Sequence, residues 1–271
     1  MFNIIRPLIF KFSPEVAHSL AIKALKLNNI PYTQPKDNHI IETTFCEKKL
    51  PSPIGVAAGF DKNAEVYNPL FKLGFGFVEV GTVTPEPQFG NPKPRVFRLE
   101  EDEALINRLG FNNIGSNKVS LNIKKDLPQG LLGINIGPNK DTKNRIDDYL
   151  KCIRSLNNLG DYITINISSP NTDNLRSFHN PDELEKLLKL IQEEKNKLKS
   201  SINIAVKVAP DIEINNLDNI GNILLNYDVK FIIISNTSDG TRDRLKNINK
   251  FEKGGLSGKP IEEKSNLLIN R

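Results

Sequence analysis

Six short apolar runs separated by helical stretches constrain this chain more than any other feature. They are IGVAA (54–58), GFVEVG (76–81), LLGINI (131–136), YITINI (162–167), INIAVKV (202–208) and KFIIIS (230–235). Amphipathic patterns near 64–73, 114–125, 144–158, 181–200, 213–226 and 261–270 lie between or after them. Two long loops interrupt the alternation, one running to about residue 113 and one after the sixth run. Strands alternating with helices predict parallel βαβ units, and near-continuous apolar strands predict sheets covered on both faces. A (β/α)8 barrel and a doubly wound open sheet both meet that description. No GxGxxG turn follows the first strand, which disfavours the open dinucleotide-binding sheet. The expected class is therefore α/β, of the (β/α)8 TIM-barrel type, incomplete at about six βα units, with an N-terminal two-helix extension.

Each strand is followed by a polar or glycine-bearing cluster, at 59–62, 82–85, 135–139, 166–171, 207–211 and 236–240. In a barrel these clusters converge on the C-terminal rim, where active sites are built.

The first residues differ in kind. Phe2, Ile5, Ile9 and Phe12 recur at helical spacing, and Pro7 marks a start or kink. Ser13 and Pro14 form an N-cap and N1 pair for a second helix carrying Val16, Leu20, Ala24 and Leu27. Asn28, Asn29 and Pro31 end it, and 31–39 reads as linker. This divides the chain into an amphipathic segment (1–30), a linker and barrel entry (31–53), and the barrel (54–271). No run reaches the ~20 apolar residues of a membrane span. Arg6, Pro7 and Lys11 break the pattern of a secretory signal.

Composition narrows the chemistry. Thirty-seven Lys+Arg against 32 Asp+Glu give a net charge of +5, spread along the chain. That excess suits an anionic small molecule or an anionic membrane surface better than a nucleic acid, which needs a clustered basic face. The two cysteines (Cys46, Cys152) and three histidines (His18, His39, His179) do not cluster. This argues against a disulfide framework, a zinc centre and a Ser–His–Asp hydrolase, and no metal is expected.

The rim motifs carry the rest. AAGFDKN (57–63) offers small residues for close approach to a planar ligand and a fixed cation in Lys62; alone, it also reads as a tight turn. INRLGFNN (106–113) offers amides for the edge of a small heterocycle, or simply a polar loop. NISSPNT (166–172) places serines at the rim with no histidine nearby in sequence, disfavouring acyl-enzyme chemistry. VKVAPD (206–211) sets Lys207 inside an apolar strand, where lysine is rarely found without a partner. SNTSDG (235–240) adds Asn236, and GGLSGKP (254–260) reads as a flexible lid or phosphate cradle.

In this order and spacing, AAGFDKN, GTVTP, NRLGFNN, GINIG, NISSPNT, VKVAPD, SNT and GGLSGKP closely resemble the dihydroorotate dehydrogenases, over essentially the whole chain. The resemblance is to the class 2, quinone-dependent, membrane-associated branch. It implies a barrel holding FMN and oxidation of dihydroorotate to orotate in pyrimidine (UMP) biosynthesis. Positions matching FMN contacts are Ala58, Gly59, Phe60, Asp61, Lys62, Thr82, Asn135, Asn166, Lys207, Ser235 (where threonine is usual) and Gly258. Positions matching the orotate site are Lys62, Asn107, Arg108, Leu109, Gly110, Phe111, Asn166, Asn171, Asn236 and Thr237. Ser169 matches the catalytic base; class 1 uses cysteine there, and neither cysteine lies in a rim motif. The N-terminal helices resemble the quinone-tunnel hairpin, with His18 and Arg98 at tunnel-side positions. The implied partners are dihydroorotate, a membrane quinone and a membrane surface, with no nucleic acid. The implied location is peripheral, on the cytoplasmic face of a bacterial cell membrane.

The family continues past the sixth unit with two more strands whose loops bind the FMN phosphate. An incomplete barrel is expected to expose strand edges and to hold FMN weakly. A non-catalytic remnant of the enzyme, and more weakly a flavin barrel reducing a nucleobase in RNA, are the alternative readings.

Overall fold

The computed structural model describes residues 2–27, 40–172, 175–240 and 242–271. The expected linker at 31–39 lies outside the described residues. Two helices open the chain, α1 (Phe2–Ile9), with Pro7 inside it, and α2 (Pro14–Lys26). A hairpin of β1 (Thr43–Phe45) and β2 (Lys48–Leu50) follows. Next come β3 (Gly55–Val56), α3 (Tyr67–Lys72), β4 (Phe77–Val83), β5 (Val96–Leu99) and β6 (Ala104–Asn107). Then come α4 (Ser116–Lys125), β7 (Leu131–Ile136), α5 (Arg145–Leu156), β8 (Tyr162–Asn166) and α6 (Pro181–Leu198). The chain ends with β9 (Asn203–Val208), α7 (Ile214–Asn226), β10 (Val229–Ile234), β11 (Gly255–Gly258) and α8 (Glu262–Ile269).

Six strands form one parallel sheet in the order β10-β9-β8-β7-β4-β3. This is the expected set of βα units, arranged as a TIM-barrel-like half-barrel. Helix boundaries follow local chemistry. The Asn144 side chain caps the Asp147 N–H of α5, and Asn180 caps Asp182 and Glu183 of α6, with Pro181 at its first turn. Tyr149, Cys152, Ile153 and Leu156 then bury one face of α5. The third helix starts later than its pattern suggests. The Asp61 carboxylate accepts the Glu65 and Val66 N–H groups and holds that stretch as a turn.

Alternation along the strands divides two cores. Val78, Val80, Ile134, Ile163, Ile165, Ile204 and Val206 pack with the helices. The opposite set faces the barrel interior and changes character along its axis. At the N-terminal end are Phe77, Leu131, Tyr162, Ala205 and Phe231, plugged by the β1–β2 hairpin. The Phe45 ring sits 4.7 Å from Phe231 and 5.9 Å from Tyr162. Further along lie Glu79 and Thr164, and at the C-terminal end Gly81, Asn135, Asn166 and Lys207.

One expectation is corrected. The long loops after β4 and β10 contain a three-stranded antiparallel sheet in the order β11-β6-β5, which stands over the rim. GGLSGKP is therefore not a free lid: residues 255–258 pair with 104–107. Glycine is required there because a Cβ on Gly255 would lie 1.9 Å from Thr237 Oγ1. The α2 helix packs on this sheet's flank, where Arg95 pairs with Glu15 at 3.0 Å and Arg98 donates to Phe12 O at 2.9 Å.

Candidate active site

The rim residues meet in a cleft of about 140 Å³ between the parallel sheet and the antiparallel one. Ala58, Gly59, Lys62 and Thr82 line one side, and Asn107, Leu109, Gly110 and Phe111 line the roof. Asn166, Ser169, Asn171, Lys207, Asn236 and Thr237 complete it. Most residues marked from sequence thus share one space. Gly81 and Asn112 also line it although the sequence reading passed them over. Gly81 has φ +107°, and a Cβ there would lie 2.4 Å from Asn135 O.

The floor is a directed hydrogen-bond chain. Buried Glu79 accepts from Asn135 Nδ2 at 2.8 Å, Thr164 Oγ1 at 2.9 Å and Tyr162 OH at 3.0 Å. Burial, then the Glu79 carboxylate, push the Tyr162 hydroxyl far up, so it stays a donor. With its Nδ2 committed to Glu79, Asn135 turns Oδ1 toward the rim, accepting from Thr82 Oγ1 at 2.6 Å and Asn166 Nδ2 at 3.1 Å. Asn166 Oδ1 then accepts from Ser168 Oγ at 3.1 Å and Asn236 Nδ2 at 3.2 Å. Asn236 Oδ1 finally accepts the Thr237 N–H at 2.8 Å. One buried carboxylate thereby sets the orientation of three amides.

Above this floor stand two cations. Lys62 Nζ donates to Gly59 O, and burial, then the nearby Arg95 charge, lower its pKa to about 8. Lys207 is buried and makes no hydrogen bond or ion pair among the described residues. Asn112 Oδ1 is buried there without a partner. Ser169 is 5% exposed; its Oγ accepts the Asn171 N–H at 3.2 Å. Asn171 Nδ2 donates to Asn107 O at 3.1 Å, tying the loop after β8 to the roof.

Other marked residues lie around the cleft. Phe60 turns to the α2 side, where its carbonyl accepts from His18 Nε2 at 2.7 Å. Asp61 is a buried turn cap whose carboxyl is raised by burial against its backbone hydrogen bonds. Arg108 directs its side chain outward, to Glu252 at 2.7 Å and over the Phe97 ring. Ser235 Oγ bonds Ser265 Oγ at 2.9 Å behind the cleft, and Gly258 pairs with Ala104 at the far end of β11. A second space of about 680 Å³ lies between α2 and the rim, lined by His18, Arg98, Phe60 and Leu105. It shares Gly59, Lys62, Leu109 and Asn112 with the cleft. Burial, then Lys62, lower the His18 pKa below its ordinary value. No cluster of three His, Cys, Asp or Glu suited to a metal occurs among the described residues.

A barrel rim presenting oriented amides, two lysines and the hydroxyls of Thr82, Ser169 and Thr237 suits a planar anion with hydrogen-bonding edges. The fold and cleft define a TIM-barrel-like protein of small-molecule type. The family profile for dihydroorotate dehydrogenase matches residues 40–271, and the chain belongs to that family. Its relatives are of the quinone-dependent type. "Dihydroorotate dehydrogenase (quinone)" of Nitrosomonas europaea is 42% identical over 281 aligned residues, covering all of this chain and 81% of that one. The protein of the same description from Bartonella tribocorum is 45% identical, covering 97% and 74%. The structure of ligand-free DHODH from Eimeria tenella superposes with a TM-score of 0.89 at 36% identity, covering 94% of this chain and 78% of that one.

Replacing Glu79 tests the floor. Glu79→Leu strands three buried donors, each costing about 1–3 kcal/mol, so the protein should lose about 3 kcal/mol or more. Glu79→Gln keeps one acceptor oxygen and should lose less. Urea unfolding checks this; a Leu variant as stable as wild type would contradict it.

Proposed function

We propose that the chain binds FMN and oxidises dihydroorotate to orotate with a quinone as acceptor, in de novo pyrimidine biosynthesis. The carrying observation is the convergence of Lys62, Asn107, Asn166, Asn171, Asn236 and Ser169 on one cleft. Its residues suit FMN: Ala58 and Gly59 leave backbone open to a planar ring, a Cβ on Gly59 meeting nothing within 4 Å, and the Lys207 side chain is buried without a partner among the described residues. These residues, with Thr82 and Asn166, would hold the flavin. Bound FMN supplies the two-electron acceptor that the oxidation needs.

The chain's own groups do the rest. Lys62 pairs with the substrate carboxylate, and the asparagine amides read the donor and acceptor edges of the ring, fixing its orientation. The Ser169 hydroxyl takes the proton from C5 of dihydroorotate. As the C5–H bond breaks, its electron pair becomes the C5=C6 double bond and the hydride leaves C6 for the acceptor that bound FMN would supply; a hydroxyl is a weak base alone, so Ser169 passes the proton on to solvent.

The N-terminal helices support a membrane role. Leu8, Phe12, Val16, Leu20 and Leu27 stay exposed on α1, α2 and their flanks. No helix among the described residues is long and apolar enough to cross a membrane. In-plane docking on the cytoplasmic face of a bacterial membrane would feed quinone into the space beside His18 and Arg98.

Two outcomes test this reading. Ser169→Ala should lower dihydroorotate turnover by roughly 10²–10⁴-fold while orotate still binds. Wild-type turnover at neutral pH would reject Ser169 as the base. Orotate affinity should also depend on pH through Lys62. Its pKa of about 8 in the free protein means the ammonium is present below that pH and lost above it. Carboxylate binding favours the charged form, so the dissociation constant should stay level below about pH 8 and rise roughly tenfold per unit above it. Calorimetric titration across that range reads the effect, and a flat profile would contradict it.

A further inference from the structure

The proposed chemistry needs two loops to keep register with each other. Residues 168–171, after β8, carry Ser169 and Asn171; residues 236–240, after β10, begin with Asn236 and Thr237. Strand pairing does not join them directly, because β9 lies between β8 and β10. Two side chains do. Asn236 Nδ2 donates to Ser168 Oγ at 3.0 Å. Arg176, on the short 3-10 turn Leu175–His179, donates from Nε to Ser168 O at 3.2 Å and from Nη2 to Thr237 O at 3.1 Å. Its Nη1 donates to Asp239 Oδ1 at 2.5 Å and lies 3.3 Å from Asp211 Oδ2.

Asp211 brings in the loop after β9. Its carboxylate accepts from Ser238 Oγ at 2.6 Å, the Asp239 N–H at 3.0 Å and Lys264 Nζ of α8 at 2.9 Å. The loops following three successive strands thus meet at one guanidinium, whose side chain is 22% exposed against 15% for Asp211. Both carbonyls it grips adjoin functional positions: Ser168 O precedes Ser169, and Thr237 O belongs to a cleft residue.

We propose that Arg176 is a positioning residue. It locks the base-bearing loop to the substrate-amide loop, so that Ser169 and the Asn236–Thr237 edge engage the same substrate molecule. The substrate's identity in this proposal rests on the function proposed above. Arginine is required because its planar fork donates in several fixed directions at once. A lysine ammonium keeps the ion pairs with Asp211 and Asp239 but cannot also span both carbonyls.

The test compares Arg176→Lys and Arg176→Met with wild type, each as the full chain with FMN. Amide hydrogen exchange is read at 168–171 and 236–240, with α5 amides as internal control, alongside the dissociation constant for orotate. Both variants should exchange about tenfold faster in the two loops with α5 unchanged, and bind orotate about tenfold more weakly. Near-complete rescue by lysine in both readouts would overturn the proposal. So would acceleration spread equally over α5 and the loops, the mark of a merely structural residue. A wild type that ignores orotate, while both variants loosen only the two loops, would sink the substrate reading and support the clamp.

Discussion

A carboxylate inside a barrel survives only if its oxygens are filled, and Glu79 meets that demand with three donors from β7 and β8. The consequence runs upward. An asparagine amide is a two-ended group, and fixing one end fixes what the other offers. Because Asn135 gives its N–H to Glu79, it presents an oxygen to Asn166, which presents an oxygen to Asn236. The cleft's pattern of donors and acceptors is thus anchored below it, in a layer no ligand reaches. Such buried networks stabilise when complete and cost heavily when one member is lost.

The same economy links the cleft to the N-terminal helices. Gly59 and Lys62 belong both to the cleft and to the space beside α2. His18 holds the Phe60 carbonyl, and Glu15 holds Arg95, whose charge helps lower the Lys62 pKa. The two helices therefore bear on the electrostatics of the cleft as well as covering its flank. The same helices carry exposed apolar side chains, and no helix among the described residues is long and apolar enough to cross a membrane.

Much of this was legible in sequence because it obeys simple periodicities. Near-continuous apolar strands such as 131–136 and capped helices such as 181–198 stand out in one dimension. The rim motifs were legible because barrel topology brings strand ends together. The antiparallel sheet was not: β5 and β6 have four residues each, and β11 is half glycine, leaving no side-chain alternation to read. Glu79 gave the same signal as Lys207, a charge inside an apolar run, yet only Lys207 fell within a recognised rim motif. Arg176 gave no signal, since its meaning lies in backbone carbonyls far apart in sequence. Arg108 sits in the INRLGFNN motif, but Glu252 and Phe97, distant in sequence, draw its side chain outward.

The central claim is that this cleft recognises a planar pyrimidine carboxylate through a lysine and pre-oriented amides together. The most direct measurement is calorimetric titration of the chain, with saturating FMN, by orotate, uracil and benzoate. Uracil has the ring amides without the carboxylate, and benzoate the carboxylate without the amides. The account predicts saturable one-site binding of orotate, with each of the others weaker by at least about tenfold. Equal binding of all three, or no binding of orotate, would contradict it.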